Sequence, residues 1–117
     1  MDELDRKIYA LLKRIGVPAD IDGYDYIFHA IRLLVDNGYR SIPITKPGGL
    51  YDQIAARYKT MPLRVERSIR HAVELTFDRI PYTVSEQVFG ATIDPMKGKL
   101  TNSDFIRQLA LEIRYSN

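Results

Sequence analysis

Arg64, Glu66, Arg67, Arg70, His71 and Glu74 fall within TMPLRVERSIRHAVELTF, residues 60–77. That is a dense set of donors and acceptors for a few helical turns. Arginine can donate two parallel bonds to guanine O6 and N7, and glutamate can accept from cytosine N4. On a wheel of about 100° per residue, Val65, Ser68, Ile69, Ala72, Val73, Leu75 and Thr76 share one broad arc. Glu66, Arg67, Arg70, His71, Glu74 and Asp78 share the other. Leu63 is the one apolar intruder at the start of the polar arc, and Phe77 sits at the boundary. Such a helix packs one side on a core and leaves its charged side free.

Two readings of the free side stand open on pattern alone. It is a surface for reading base edges, or it is a solvated face knit by its own charges. Glu66 to Arg70 and Arg70 to Glu74 have the four-residue spacing of helix ion pairs, which explains part of the charge without a ligand.

The neighbouring sequence bears on the choice. GGLYDQIAARYKTMPLRVERSIRHAVEL reads as helix, short turn, helix over about residues 49–79. A helix-turn-helix brings its second helix into the major groove with the N-terminal residues on base edges. Lys59, the Thr60 hydroxyl and the backbone N–H groups of the helix start suit phosphates. Thr60 is expected to cap this helix, with Pro62 tolerated in its first turn.

The remaining elements must position that unit. Leu4, Ile8, Leu11, Leu12 and Ile15 recur at helical steps and predict a helix over about residues 2–15, stopped at Gly16. A second is predicted over about 24–36, with Asp22 or Gly23 as cap and Gly38 suited to a left-handed stop. The helix-turn-helix pair follows at about 49–58 and 62–79, with Leu50, Ile54, Ala55 and Tyr58 inward on the first. A short helix is predicted at about 83–89. A final one runs from an Asn102 or Ser103 cap to about Tyr115. SIPIT and YTV are the only, weak, strand signals. The expectation is an all-α domain spanning 1–117, a bundle of about six helices joined by short connections.

Bulk properties limit the function classes. The chain has 117 residues, 45% apolar and 27% charged, enough for one core. There is no cysteine, hence no disulfide framework and no thiolate zinc site. No apolar run approaches the roughly 18 residues of a membrane span, and the N-terminus has no signal-peptide core. A protein of the cytoplasm, associated with the nucleoid, is expected. Net charge is +2. Residues 1–30 carry −2 and residues 31–117 carry +4, a bias that permits nucleic-acid binding.

Other chemistry finds little support. His29 and His71 are the only histidines, and His29 is expected as a partly buried structural residue. No metal site and no cofactor is expected. Asp20, Asp22 and Asp25 lack the glutamate that closes a calcium loop, and KPGG lacks the phosphate-loop pattern. No nucleophile–base pairing is evident, so no enzyme activity and no small-molecule substrate is expected.

RVERSIRHAVE and KLTNSDFI closely resemble two stretches of a known family, and IGVPADIDGYDYIFHAI is similar to the opening segment of the same domain. The family is the C-terminal, DNA-binding effector domain of the stage-zero sporulation regulator, a phosphorylation-activated transcription factor of endospore-forming bacteria. Three motifs in order, over about residues 5–114, make the resemblance specific. It implies six helices with a helix-turn-helix, and recognition of a promoter box of the form T-G-any-C-G-A-A. It further implies contact with RNA polymerase sigma subunits and pairing on tandem boxes. Carried over by position, Glu66 and Arg67 are expected to read bases and Arg64 and Arg70 to make mixed base and phosphate contacts, with His71 on the same recognition surface. Lys97 and Lys99 are expected on the DNA backbone, and Phe89 and Gly90 near the polymerase.

Two departures stand out. Met61, Pro62 and Leu63 replace small or polar residues of the family at the turn. The family also joins this domain to an N-terminal receiver of α/β type, and no pattern for one is present. Either a free-standing effector domain or a piece of a longer regulator is expected. A receiver-less copy also has an alternative role, as an interaction module for the full-length regulator or a sigma subunit.

Overall fold

A computed structural model describes residues 1–90 and 100–116. Six helices account for the described regular structure: α1 (Glu3–Ile15), α2 (Asp22–Asp36), α3 (Leu50–Tyr58), α4 (Pro62–Arg79), α5 (Tyr82–Val88) and α6 (Asn102–Tyr115). No strand occurs among the described residues. SIPIT and YTV therefore do not pair, and YTV opens α5.

The helices form where apolar periodicity demands a partner. α2 lies at the centre and packs against α1, α3, α4 and α6. Its Ile27, Ala30 and Ile31 are fully buried, as are Ile8, Leu12 and Ile15 of α1 and Phe105 and Leu109 of α6. Each large aliphatic side chain so buried contributes about 1.5–3 kcal/mol. Phe77, Phe89 and Phe105 form an aromatic cluster where α4, the end of α5 and α6 meet, with centroids 5.2–5.9 Å apart.

The stops fall where glycine allows a left-handed backbone. Gly16 ends α1 at φ 86°, and Gly38 follows α2 at φ 68°. The starts differ from expectation. Asp2 lies outside α1 as its cap, accepting from the Asp5 N–H at 2.8 Å. α2 begins at Asp22 itself, with Ile21 at the cap position and no side-chain bond. Thr60 does not cap α4: Met61 holds that position, again without a side-chain bond. α6 is capped by Thr101, which accepts from the Asp104 N–H at 3.1 Å. Tyr58 is not inward but 39% exposed, its ring edge-on to Tyr26 and His29. His29 is half-buried, and desolvation, then the nearby Arg57, depresses its basicity.

Gly23 proves to be a packing residue. A Cβ there would collide with the Ser68 carbonyl oxygen and stand 2.8 Å from the Ala72 Cβ. Only a glycine lets the start of α2 approach the backbone of α4 this closely. That contact sets the seat of α4.

Candidate nucleic-acid interface

α4 is two-faced as the wheel requires. Val65, Ile69, Ala72, Val73 and Thr76 are buried. The Thr76 hydroxyl donates to the Ala72 carbonyl one turn back, at 2.8 Å, which satisfies the one buried hydroxyl on that face. On the other side Arg64, Arg67, His71 and Glu74 are exposed, while Glu66 and Arg70 are half-buried.

These side chains are not equally free. Arg67 has no hydrogen-bond or ion-pair partner among the described residues. Arg64 is tethered: its Nη2 lies 2.9 Å from Asp22 Oδ2 on α2. Asp22, and after it Tyr26, holds the Arg64 guanidinium more firmly protonated than usual. Both partners stay exposed, at 63% and 58% of their side-chain surface, so an external phosphate can compete for the arginine. Arg70 donates to the Leu100 carbonyl at 3.2 Å, just before α6. The pairs Glu66–Arg70 and Arg70–Glu74 do not close among the described residues, because Arg70 turns towards α6 instead.

Folding thus brings the start of α6 against the charged face. Arg67, Arg70 and His71 line one side of a groove of about 460 Å³, and Thr101, Asn102 and Ser103 line the other. Asn102 was expected to be a cap. It is 6% exposed, and its amide donates to the Tyr51 hydroxyl at 3.0 Å and to the Glu66 carbonyl at 3.1 Å. One side chain therefore ties α6 to α3 and α4 behind the charged face. Burial raises the Tyr51 phenol above its usual value, so it stays neutral in this network.

The turn before α4 is also set. Lys59 takes a left-handed conformation, φ 54°, and its N–H closes α3. The Thr60 N–H donates to the Ala55 carbonyl at 2.9 Å. α4 has no acidic residue in its first turn and no side-chain cap. Its leading N–H groups and positive dipole end are left for an external anion.

Asp22 and Asn102 were missed as contributors to this surface. Asp22 lies 42 positions from Arg64. Asn102 sits inside a motif of the resemblance, yet its type alone reads as a cap. Phe89, expected near the polymerase, is 2% exposed, with its ring stacked on Phe105. Gly90 is half-buried beside it. Lys97 and Lys99 lie outside the described residues.

No helix among the described residues is long and apolar enough to cross a membrane. They also contain no group of three or more histidine or carboxylate side chains placed to hold a metal ion. The sequence model of one family, described as "Sporulation initiation factor Spo0A C terminal", matches residues 8–113. The match covers α4, the groove and α6 as far as Ile113, along with the core. With six helices, an α3–turn–α4 unit and a charged face beside an uncapped helix start, the chain belongs to the family of the C-terminal, DNA-binding domain of sporulation initiation factor Spo0A.

Proposed function

We propose that this domain regulates transcription by reading a T-G-any-C-G-A-A-like box in double-stranded DNA, with α3 and α4 as its helix-turn-helix. The observation that carries the proposal is Arg67: exposed, unpartnered among the described residues, and one turn into a helix whose N-terminus lacks an acidic residue and a cap. Such a side chain is positioned to place its fork on guanine while the helix start meets a phosphate. Glu66 reads bases beside it. Arg64, Arg70 and His71 extend the contact once phosphate competes for Arg64. Lys59, Thr60, Lys97 and Lys99 act on the backbone.

An RNA polymerase sigma subunit is the second partner. The α5 region offers it a surface in Tyr82, 77% exposed, with Phe89 bracing that region from the core. Copies pair side by side on tandem boxes and are monomeric without DNA. A location on the nucleoid in the cytoplasm follows from this reading.

The test is titration against a labelled duplex carrying the box and against a scrambled duplex, at one near-physiological salt concentration. A preference of at least tenfold, about 1.4 kcal/mol, is expected. Equal, weak, salt-sensitive binding to both would overturn sequence reading and favour the interaction-module role.

A further inference from the structure

The start of α4 carries two large apolar side chains in open solvent. Met61 is 70% exposed and Leu63 is 51% exposed. An isolated exposed apolar side chain is ordinary. The position of these two is not. Met61 fills the cap, where a hydroxyl or carboxylate would stabilise the helix, and makes no capping bond. Leu63 stands four residues before Arg67 and seven before Arg70, so the three share one row on the helix surface. That row is the face assigned above to base edges.

The surroundings select the occupant. Lys59, Arg64 and Arg67, all exposed, lie within four positions of this apolar pair along the chain and bring positive charge to it. An apolar spot with cationic neighbours complements a methyl group in a groove flanked by phosphates. DNA presents one such group in its major groove, the C5-methyl of thymine, which the other bases lack.

Resting on the sequence-reading role proposed above, we infer that Leu63, with Met61 beside it, packs on a thymine methyl and selects a T·A pair near the base that Arg67 reads. Four residues span about 6 Å of helix, against about 3.4 Å per base step. The thymine therefore lies within about two base pairs of that base.

The experiment replaces each thymine of the box duplex and of its flanking pairs, one at a time, by deoxyuridine, which removes only the methyl. Binding is followed by fluorescence anisotropy. One replacement is expected to weaken the native chain about fourfold, the loss of one buried methyl. Leu63→Ser is expected to bind the thymine duplex more weakly and to treat thymine and uracil alike at that position. Leu63 is exposed, and a thermal melt of the variant verifies its fold. A Met61→Ser chain should show part of the same loss. If the native chain prefers box to scrambled duplex yet ignores every replacement, the methyl contact is wrong and the tip faces something other than DNA. If it does not prefer the box at all, sequence reading falls, and the methyl contact with it.

Discussion

The starts of α1 and α4 are built on opposite principles. Asp2 caps α1, Glu3 and Asp5 place negative charge in its first turn, and Arg32 of α2 bonds both Asp2 and Asp5 at 2.8–3.0 Å. Hydrogen bonding from the Asp5 N–H, then from Arg32, holds the Asp2 carboxyl below its usual range. Everything the helix end can attract is already supplied by the chain. At α4 none of this is supplied: Met61 makes no capping bond, the first turn holds no acid, and Asp22 of α2 is paired with Arg64. A self-satisfied helix end contributes to folding. An unsatisfied one, held rigid by Gly23 and Asn102, keeps its attraction for a ligand.

Arg67→Ala should cost about 1–3 kcal/mol of affinity for the box and much less for random DNA, in parallel titrations. Equal losses on both would make Arg67 a phosphate contact. The same substitution should leave the melting curve nearly unchanged. Supplying α4 with what α1 has, by Met61→Ser, should raise stability by about 1 kcal/mol in denaturant unfolding. A stability decrease would mean that Met61 packs in a way its exposure does not indicate.

Asp22→Asn should release Arg64 and raise affinity for every duplex by a modest factor, with a steeper salt dependence. Unchanged binding would mean that Arg64 stays on α2 in the complex. The smallest effect concerns pH. Because the folded Asp2 carboxyl titrates below its unfolded value, its contribution is complete above about pH 4 and is lost as pH falls through the depressed value. Asp2→Asn keeps a capping side chain but removes this dependence. Melting temperatures between pH 5 and 2 should therefore fall less steeply in the variant than in the native chain.

Much of this contrast is legible in the sequence, and the part that is not has a common cause. Helix spans follow from local periodicity, and the two faces of α4 follow from one wheel. Gly16 and Gly38 stop helices because backbone freedom is a property of the residue itself. Caps were harder. Thr101, Asn102 and Ser103 are adjacent polar residues of suitable type, and only burial against Tyr51 and Glu66 decides that Asn102 turns inward and Thr101 caps. Thr60 has the right chemistry one residue too early. Gly23 and Asp22 act across more than forty positions, through a close approach and a tether that no local pattern encodes. The expected Glu66–Arg70–Glu74 ladder fails for the same reason, since Arg70 finds the Leu100 carbonyl. The family is legible through three ordered motifs, whereas the charged face of α4 alone fits several roles.

The central place of α2 also bears on how the chain is made. Its partners α4 and α6 lie downstream of it, and α6 is the last of the six described helices to be synthesised. At roughly 5–20 residues per second, translation takes about 4–15 s to go from the end of α2 to Ile113. Through that interval Tyr24, Ile27, Ala30 and Ile31 of the nascent chain have no complete shelter. The segment that completes the shelter of α2 is thus also the one whose Asn102 bonds Tyr51 and the Glu66 carbonyl, so closure of the core and support of the charged face of α4 share one step.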